Sequence, residues 1–237
     1  MTVKRPGGFE ITEKGLDICN FGPGAKILDI GCGDGDSCSY LRERFGYSPV
    51  GIDINPETVK KAQSNYPDLE FQLGDGEFLE NFSSGTFDGV LMECVLSQIN
   101  LPLEAVHEAY CVLRPGGKLF ISGLYRKNST EEEYAENEKE VREYQKKHQE
   151  GQLTEADKQK PPSPYRWKGL LVEEPLRRDI QELGFRELWW EDRTEDLITY
   201  GAEILMAGEN LGDYIDKDVR GKNTGYFFSV YEKTGGK

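Results

Sequence analysis

Short apolar runs alternate along the chain with longer segments whose apolar positions recur every three or four residues. The runs at 26–30, 49–54, 69–73, 87–92 and 118–123 are rich in Ile, Leu, Val and Phe and are bounded by Gly, Pro, Asn or Asp. Runs this short, without polar alternation, predict strands buried on both faces. Helices are predicted between them. One covers 9–21, with Thr12 as candidate N-cap and Leu16, Cys19 and Phe21 inward, and Gly22-Pro23-Gly24 stops it. Another follows Gly35 through Leu41 and Phe45 to Gly46. A third opens at Asn55-Pro56, a cap followed by the residue that suits the first helical position. A fourth spans 101–114 and ends at Arg114-Pro115-Gly116-Gly117. Five strand–helix alternations with short joints describe an α/β domain with a mostly parallel sheet and helices on both faces.

Residues 126–168 interrupt this rhythm. The stretch around 131–147 is densely charged, with Glu138/Arg142 and Glu143/Lys147 at helical i, i+4 spacing. Tyr134, Val141, Tyr144 and His148 make one thin stripe, so a solvated helix resting one face on the body is expected. Pro161-Pro162-Ser163-Pro164 reads as a stiff linker. Alternation then resumes: a helix from Pro175 with Leu176, Ile180 and Leu183 inward, a strand at 185–191, a helix at 196–208 with Leu197, Ile204 and Leu205 on one face, and a last strand at 226–231.

The 237 residues suit one domain with an insertion. Net charge is 29 − 43 = −14, which repels phosphate backbones and anionic lipid and argues against nucleic-acid or membrane partners. No apolar run approaches the roughly 18 residues that span a bilayer, and the first residues carry no apolar signal core, so a cytoplasmic location is expected. Five cysteines, an odd number without a C-x-x-C spacing, and two histidines offer neither a disulfide framework nor a metal site.

Chemistry concentrates at Leu28-Asp29-Ile30-Gly31-Cys32-Gly33-Asp34-Gly35, followed by Gly51-Ile52-Asp53-Ile54. A glycine-rich joint after the first strand lets backbone N–H groups approach a ligand. Asp53 stands 20 residues beyond Gly33, at the end of the second strand, where a carboxylate accepts hydrogen bonds from two ribose hydroxyls. An adenosine-containing cofactor is expected across these strand ends. The dinucleotide pattern requires glycine at position 36, where this chain has Asp36. With Asp29 and Asp34 the loop is too acidic for a pyrophosphate and suits a cofactor bearing an ammonium and a sulfonium.

These motifs resemble those of the class I S-adenosylmethionine-dependent methyltransferases. Asp29, Gly31, Gly33 and Gly35 match the first motif, and Asp53 with Ile54 the ribose-binding strand end. Asp75, Gly76 and Glu77 match the third-strand loop that holds adenine, and Glu93 lies at the end of strand four. The resemblance implies a Rossmann-like, seven-stranded sheet in order 3-2-1-4-5-7-6 with the last strand antiparallel. It also implies S-adenosyl-L-methionine as cofactor and methyl transfer to a small-molecule acceptor, with no metal. The acceptor is expected between the end of strand four, an N-terminal segment (1–24) closing over the cofactor, and the 126–168 insertion acting as a lid. Gly8, Cys38, Cys94, Gln98, Tyr125 and Tyr165 are the candidate acceptor-side residues, with Trp167 as a further wall. A narrower similarity to arsenite methyltransferases rests on Cys38 and Cys94, although 112–237 lacks the further cysteine those enzymes carry. A non-catalytic S-adenosylmethionine-binding protein is the alternative outside catalysis.

Overall fold

A computed structural model describes residues 4–159, 161–213 and 223–235. In chain order the elements are α1 (Gly8–Cys19), β1 (Lys26–Ile30), α2 (Asp36–Phe45), β2 (Ser48–Asp53), α3 (Pro56–Asn65), β3 (Glu70–Leu73), β4 (Phe87–Glu93), α4 (Pro102–Val112) and β5 (Leu113–Arg126). Then come α5 (Glu131–Gln149), α6 (Glu155–Gln159), β6 (Arg166–Trp167), β7 (Leu170–Leu171), α7 (Glu173–Glu182), β8 (Phe185–Asp192), α8 (Thr194–Met206) and β9 (Thr224–Lys233).

The sheet runs β3-β2-β1-β4-β5 in parallel; β9 then pairs antiparallel with β5, and β8 antiparallel with β9. The predicted sixth and seventh strands are β8 and β9, so the expected order 3-2-1-4-5-7-6 is the observed one. One apolar layer joins β1, β4 and β5 to α4 and α7 through Val90, Ile121, Val106, Leu176 and Ile180. The opposite layer packs Ile11, Leu16 and Leu41 of α1 and α2 against Phe120 and Phe228. Side chains on β5 therefore alternate: Ile121 and Tyr125 face α4 and α7, while Phe120, Leu124 and their neighbours at 122 and 126 face α1.

Two additional strands were not expected. Because β9 holds one edge of β5 from Lys118 to Arg126, β7, which pairs with β5 at Tyr125, must use the other edge. That edge is free there, since β4 ends its pairing at Glu93 opposite Ser122. The β6–β7 hairpin thus extends the sheet above the C-terminal end of β4. Arg166 of β6 donates to the carbonyls of Ile99, in the loop after β4, and of Pro161.

Several local expectations are corrected. Thr12 is not a cap: α1 starts at Gly7, whose φ of +68° is unstrained only for glycine, and Thr12 is buried inside the helix. On α5, a complete capping box at Thr130 and Glu133 starts the helix. Its inward residue is Asn137, which donates to the carbonyls of Ser163 and Pro164, while His148 is exposed. The Glu138–Arg142 pair forms at 3.4 Å, but Lys147 reaches Asp157 rather than Glu143. On α8, Ile204 is buried and Leu205 is exposed.

Candidate functional site

The glycine loop folds over the end of β2. The backbone N–H groups of Gly31 and Cys32 both donate to the Ile52 carbonyl, at 2.8 and 3.0 Å. Gly31, Gly33 and Gly35 all have positive φ, yet they serve different ends. A Cβ on Gly31 would strike Val95, and one on Gly35 would strike Phe71 and Tyr66, whereas one on Gly33 would meet nothing within 4 Å. Gly31 and Gly35 are packing glycines; Gly33 leaves open space beside its backbone.

Asp53 borders that space. Its Oδ2 accepts the Gly33 N–H at 3.2 Å and its Oδ1 the Asn55 N–H at 2.9 Å. Each oxygen retains a further lone pair, so the carboxylate is oriented and still able to accept two hydroxyls. Asn55 caps α3 by accepting the Glu57 N–H. Ile54, Leu73 and Phe78 are 69%, 57% and 63% exposed: Ile54 follows β2, Leu73 ends β3 and Phe78 lies in the loop after it. Asp75 accepts the Glu77 N–H, and Gly76 is packed where a Cβ would strike Ile30. Glu77 is occupied structurally: its Oε1 accepts the N–H groups of Asn100 and Leu101 at the start of α4.

Beneath the loop lies a buried polar cluster centred on Glu93. Arg5 pairs with Glu93 Oε2 at 3.0 Å and donates to Ser37 Oγ at 2.9 Å and Thr12 Oγ1 at 2.6 Å. Thr12 in turn donates to Glu93 at 2.7 Å. Glu93 is thereby satisfied by protein groups, which makes it the anchor of the N-terminal segment rather than a free ligand for a cofactor. The Arg5 guanidinium is held more firmly protonated than usual: burial, the largest single effect, opposes this, and Glu93 together with Cys94, Tyr226 and Asp29 outweighs it. Asp29, also buried, has its pKa pushed up to about 7, chiefly by desolvation and then by the Glu93 charge, against the pull of Arg5. Sequence reasoning missed Arg5, Thr12 and Ser37 as partners; only an arginine ahead of the Pro6-Gly7-Gly8 turn hinted at an anchored N-terminus.

On the acceptor side, Cys94 follows β4 with a φ of +58°, unusual for a residue with a Cβ. Its Sγ lies 3.0 Å from the Tyr226 hydroxyl, which donates to Ser122 at 3.2 Å. Burial pushes the Cys94 thiol pKa up. Gln98 is exposed and donates to the Cys94 carbonyl. Gly8, at the start of α1, has φ +52° and open space where a Cβ would be.

Three candidates do not line this cleft. Cys38 is fully buried, its thiol bonded to Asp29 at 3.5 Å, with its pKa raised by burial and then by Asp29. A metalloid site shared by Cys38 and Cys94 is therefore not formed. Tyr125 points to the α7 side and donates to Asp192 at 3.0 Å, packed edge-on against Trp190 and Phe227. Tyr165 is tied to Asp179 of α7 at 2.7 Å. Trp167, by contrast, is buried on the roof hairpin.

Known proteins share this arrangement. Residues 28–121 match the family model described as a methyltransferase domain, a stretch from the glycine loop through β4 into β5. The matched stretch holds the glycine loop, Asp53 and Glu93. Phosphoethanolamine N-methyltransferase 3 of Arabidopsis thaliana is 31% identical over 128 residues, 52% of this chain and 26% of that protein. The ubiquinone biosynthesis O-methyltransferase of Xanthomonas campestris is 34% identical over 108 residues, 44% of this chain and 45% of that protein. The chain thus spans less than half the length of these curated relatives. Among solved structures, Haemonchus contortus phosphoethanolamine N-methyltransferase 2, in complex with phosphomonomethylethanolamine and S-adenosylhomocysteine, superposes with a TM-score of 0.70 at 17% identity. That likeness covers 99% of this chain and 55% of that one, and it establishes the fold of the methyltransferase domain over the whole described chain. No helix among the described residues is long and apolar enough to cross a membrane.

Proposed function

We propose that this protein transfers the methyl group of S-adenosylmethionine to a small-molecule acceptor. The observation that carries the reading is the pairing of Gly33 with Asp53: a backbone with open space beside it, hydrogen-bonded to a carboxylate that keeps two acceptor positions. That combination fits a ribose lying across the ends of β1 and β2. The exposed apolar side chains of Ile54, Leu73 and Phe78 suit an adenine ring beside it, and the acidic loop suits a cationic methionine portion.

When bound, the cofactor supplies a methyl group on a sulfonium, open to displacement by a nucleophile. The chain's own contribution is placement and exclusion of water. Asp53 and the loop backbone fix the cofactor's orientation. The Arg5–Glu93 cluster holds the start of α1 against the sheet, closing one side. The β6–β7 hairpin covers the end of β4, closing another. The Cys94–Tyr226–Ser122 chain forms a polar floor at that strand end. The two curated relatives act, by their names, on different small molecules, and the net charge of −14 argues against nucleic acid as acceptor.

The test is release of S-adenosylhomocysteine when the protein is incubated with S-adenosylmethionine and a panel of small amines, hydroxyls and thiols. Asp53→Ala should weaken S-adenosylmethionine binding by about 1.5–3 kcal/mol, the range for a hydrogen bond involving a charged group. Calorimetry showing no S-adenosylmethionine binding by the wild type defeats the reading; binding without turnover of any acceptor favours a sensing role instead.

A further inference from the structure

The β6–β7 hairpin, the roof over the end of β4, sets Trp167 beside Arg126 of β5. Trp167 is paired with Leu170 across the hairpin and projects to the α1 side, the side of Leu124 and Arg126. There the Arg126 guanidinium lies 5.1 Å from the centre of the indole ring. One Arg126 nitrogen, Nη2, is bonded to Glu133 of α5. Its Nε is buried and has no hydrogen-bond partner, and neither has the indole Nε1 of Trp167, a side chain only 6% exposed. Buried N–H donors are nearly always paired, because leaving one unpaired costs its full desolvation. Two such donors on one arginine–indole stack, above the end of β4, need a reason.

Two further buried groups without a partner, Trp190 Nε1 and Ser229 Oγ, lie side by side in the interior, behind the sheet and away from the cleft. The Arg126–Trp167 pair differs in position and charge. Lys168 Nζ sits 4.2 Å from the same indole ring, so two cations flank Trp167, against the single Glu133 carboxylate bonded to Arg126. A partner for these donors must be an acceptor, and the surplus positive charge selects an anionic one.

We propose that Arg126 Nε–H and Trp167 Nε1–H bind an anionic oxygen group, carboxylate or phosphate, on the methyl acceptor, and that this roof selects acidic small molecules. The proposal rests on the methyltransferase reading and names the acceptor class for that site. Sequence had pointed to Trp167 as a wall but gave no role to Arg126. The indole supplies one neutral donor and the guanidinium a charged one, so the two together discriminate an anion from its neutral isostere.

The experiment uses the full chain saturated with S-adenosylhomocysteine and titrated calorimetrically with matched pairs: phosphoethanolamine against ethanolamine, and N-methylglycine against N-methylglycinamide. The pairs separate phosphate from carboxylate. At least one anionic member should bind about tenfold or more tightly than its neutral mate, the scale of one hydrogen bond to a charged group. Trp167→Phe keeps the ring and its stacking and removes only the donor; it should reduce that preference several-fold. Arg126→Gln should abolish it, and both variants should retain wild-type affinity for S-adenosylhomocysteine. Anionic members binding no better than neutral ones, or a preference that survives in both variants, overturns the proposal while leaving the cofactor reading intact. Failure of the wild type to bind S-adenosylhomocysteine overturns both.

Discussion

Arg5→Ala removes the cation from a pair in which the Arg5 side chain is 11% and that of Glu93 3% exposed. The remaining Glu93 carboxylate keeps Thr12 at 2.7 Å and a longer contact to Ser37 at 3.4 Å, which are neutral donors and leave the charge uncompensated. Breaking a buried pair from one side costs about 3–5 kcal/mol. The residues around Arg5 lie outside any helix or strand and can lift away so that water reaches Glu93, which places the expected loss near the lower end, about 3 kcal/mol. Stability is read from urea unfolding, and local opening from hydrogen exchange over the first turn of α1. Glu93→Gln, which leaves Arg5 buried without its partner, should destabilise comparably. The double variant should lose clearly less than the sum, because each single change already strands the other group. A loss below about 1 kcal/mol, the scale of an exposed ion pair, with additive single changes and unaltered exchange at α1, would refute the claim that this pair anchors the N-terminus.

Gly33→Ala and Gly31→Ala should separate binding from folding: the first costs about 1 kcal/mol of positive-φ strain and a larger share of cofactor affinity, whereas the second collides with Val95 and lowers the melting temperature outright. Asp29, with its pKa raised from 3.8 to about 7 by burial and Glu93, favours the folded state in its neutral form. Its contribution is full below about pH 4 and lost as pH rises through about 7, so the decline in urea midpoint between about pH 4 and 7 should flatten in Asp29→Asn. A thiol reagent should label the partly exposed Cys94 and Cys111 in the native protein and leave the buried Cys38 unmodified, as peptide mass mapping would show; rapid modification of Cys38 would return it to the cleft.

The strands and the glycine loop were legible because each rests on local chemistry, whereas the strand order came with the family resemblance. Continuous apolar runs mark doubly covered strands, and Asn55-Pro56 announces a helix start by capping alone. What escaped depends on distant partners. Thr12 has the composition of a cap, but its hydroxyl is consumed by Glu93 across the sheet end, and the helix begins earlier on glycine. The turn residues at 115–117 read as a break, yet β5 runs through them from Leu113, with the register shift between Phe87 and Gly89 on β4 absorbing the irregularity. The two-residue strands β6 and β7 are too short to carry any period. Cys38 sits at the right distance from the glycine loop to suggest a ligand, but helical phase turns it under Asp29. On α5 the inward position is a polar Asn137, so a search for apolar residues at helical spacing misses it.

The departures from local rules collect at one end of the sheet. Cys94 holds a left-handed backbone that its Cβ disfavours. Asp29 and Glu93 sit buried within mutual repulsion, relieved by a single arginine from the chain's first residues. Arg126 and Trp167 bury donors with no protein partner. Each feature lowers stability, and none helps the core form; the apolar layers on the two faces follow ordinary packing throughout. Strain at the C-terminal ends of parallel strands, where an open α/β sheet presents its crevice, is what a binding site produces. On the proposed reading the insertion after β5 belongs to the site as well, since its hairpin sets the unpaired Trp167 donor beside that of Arg126 at that end.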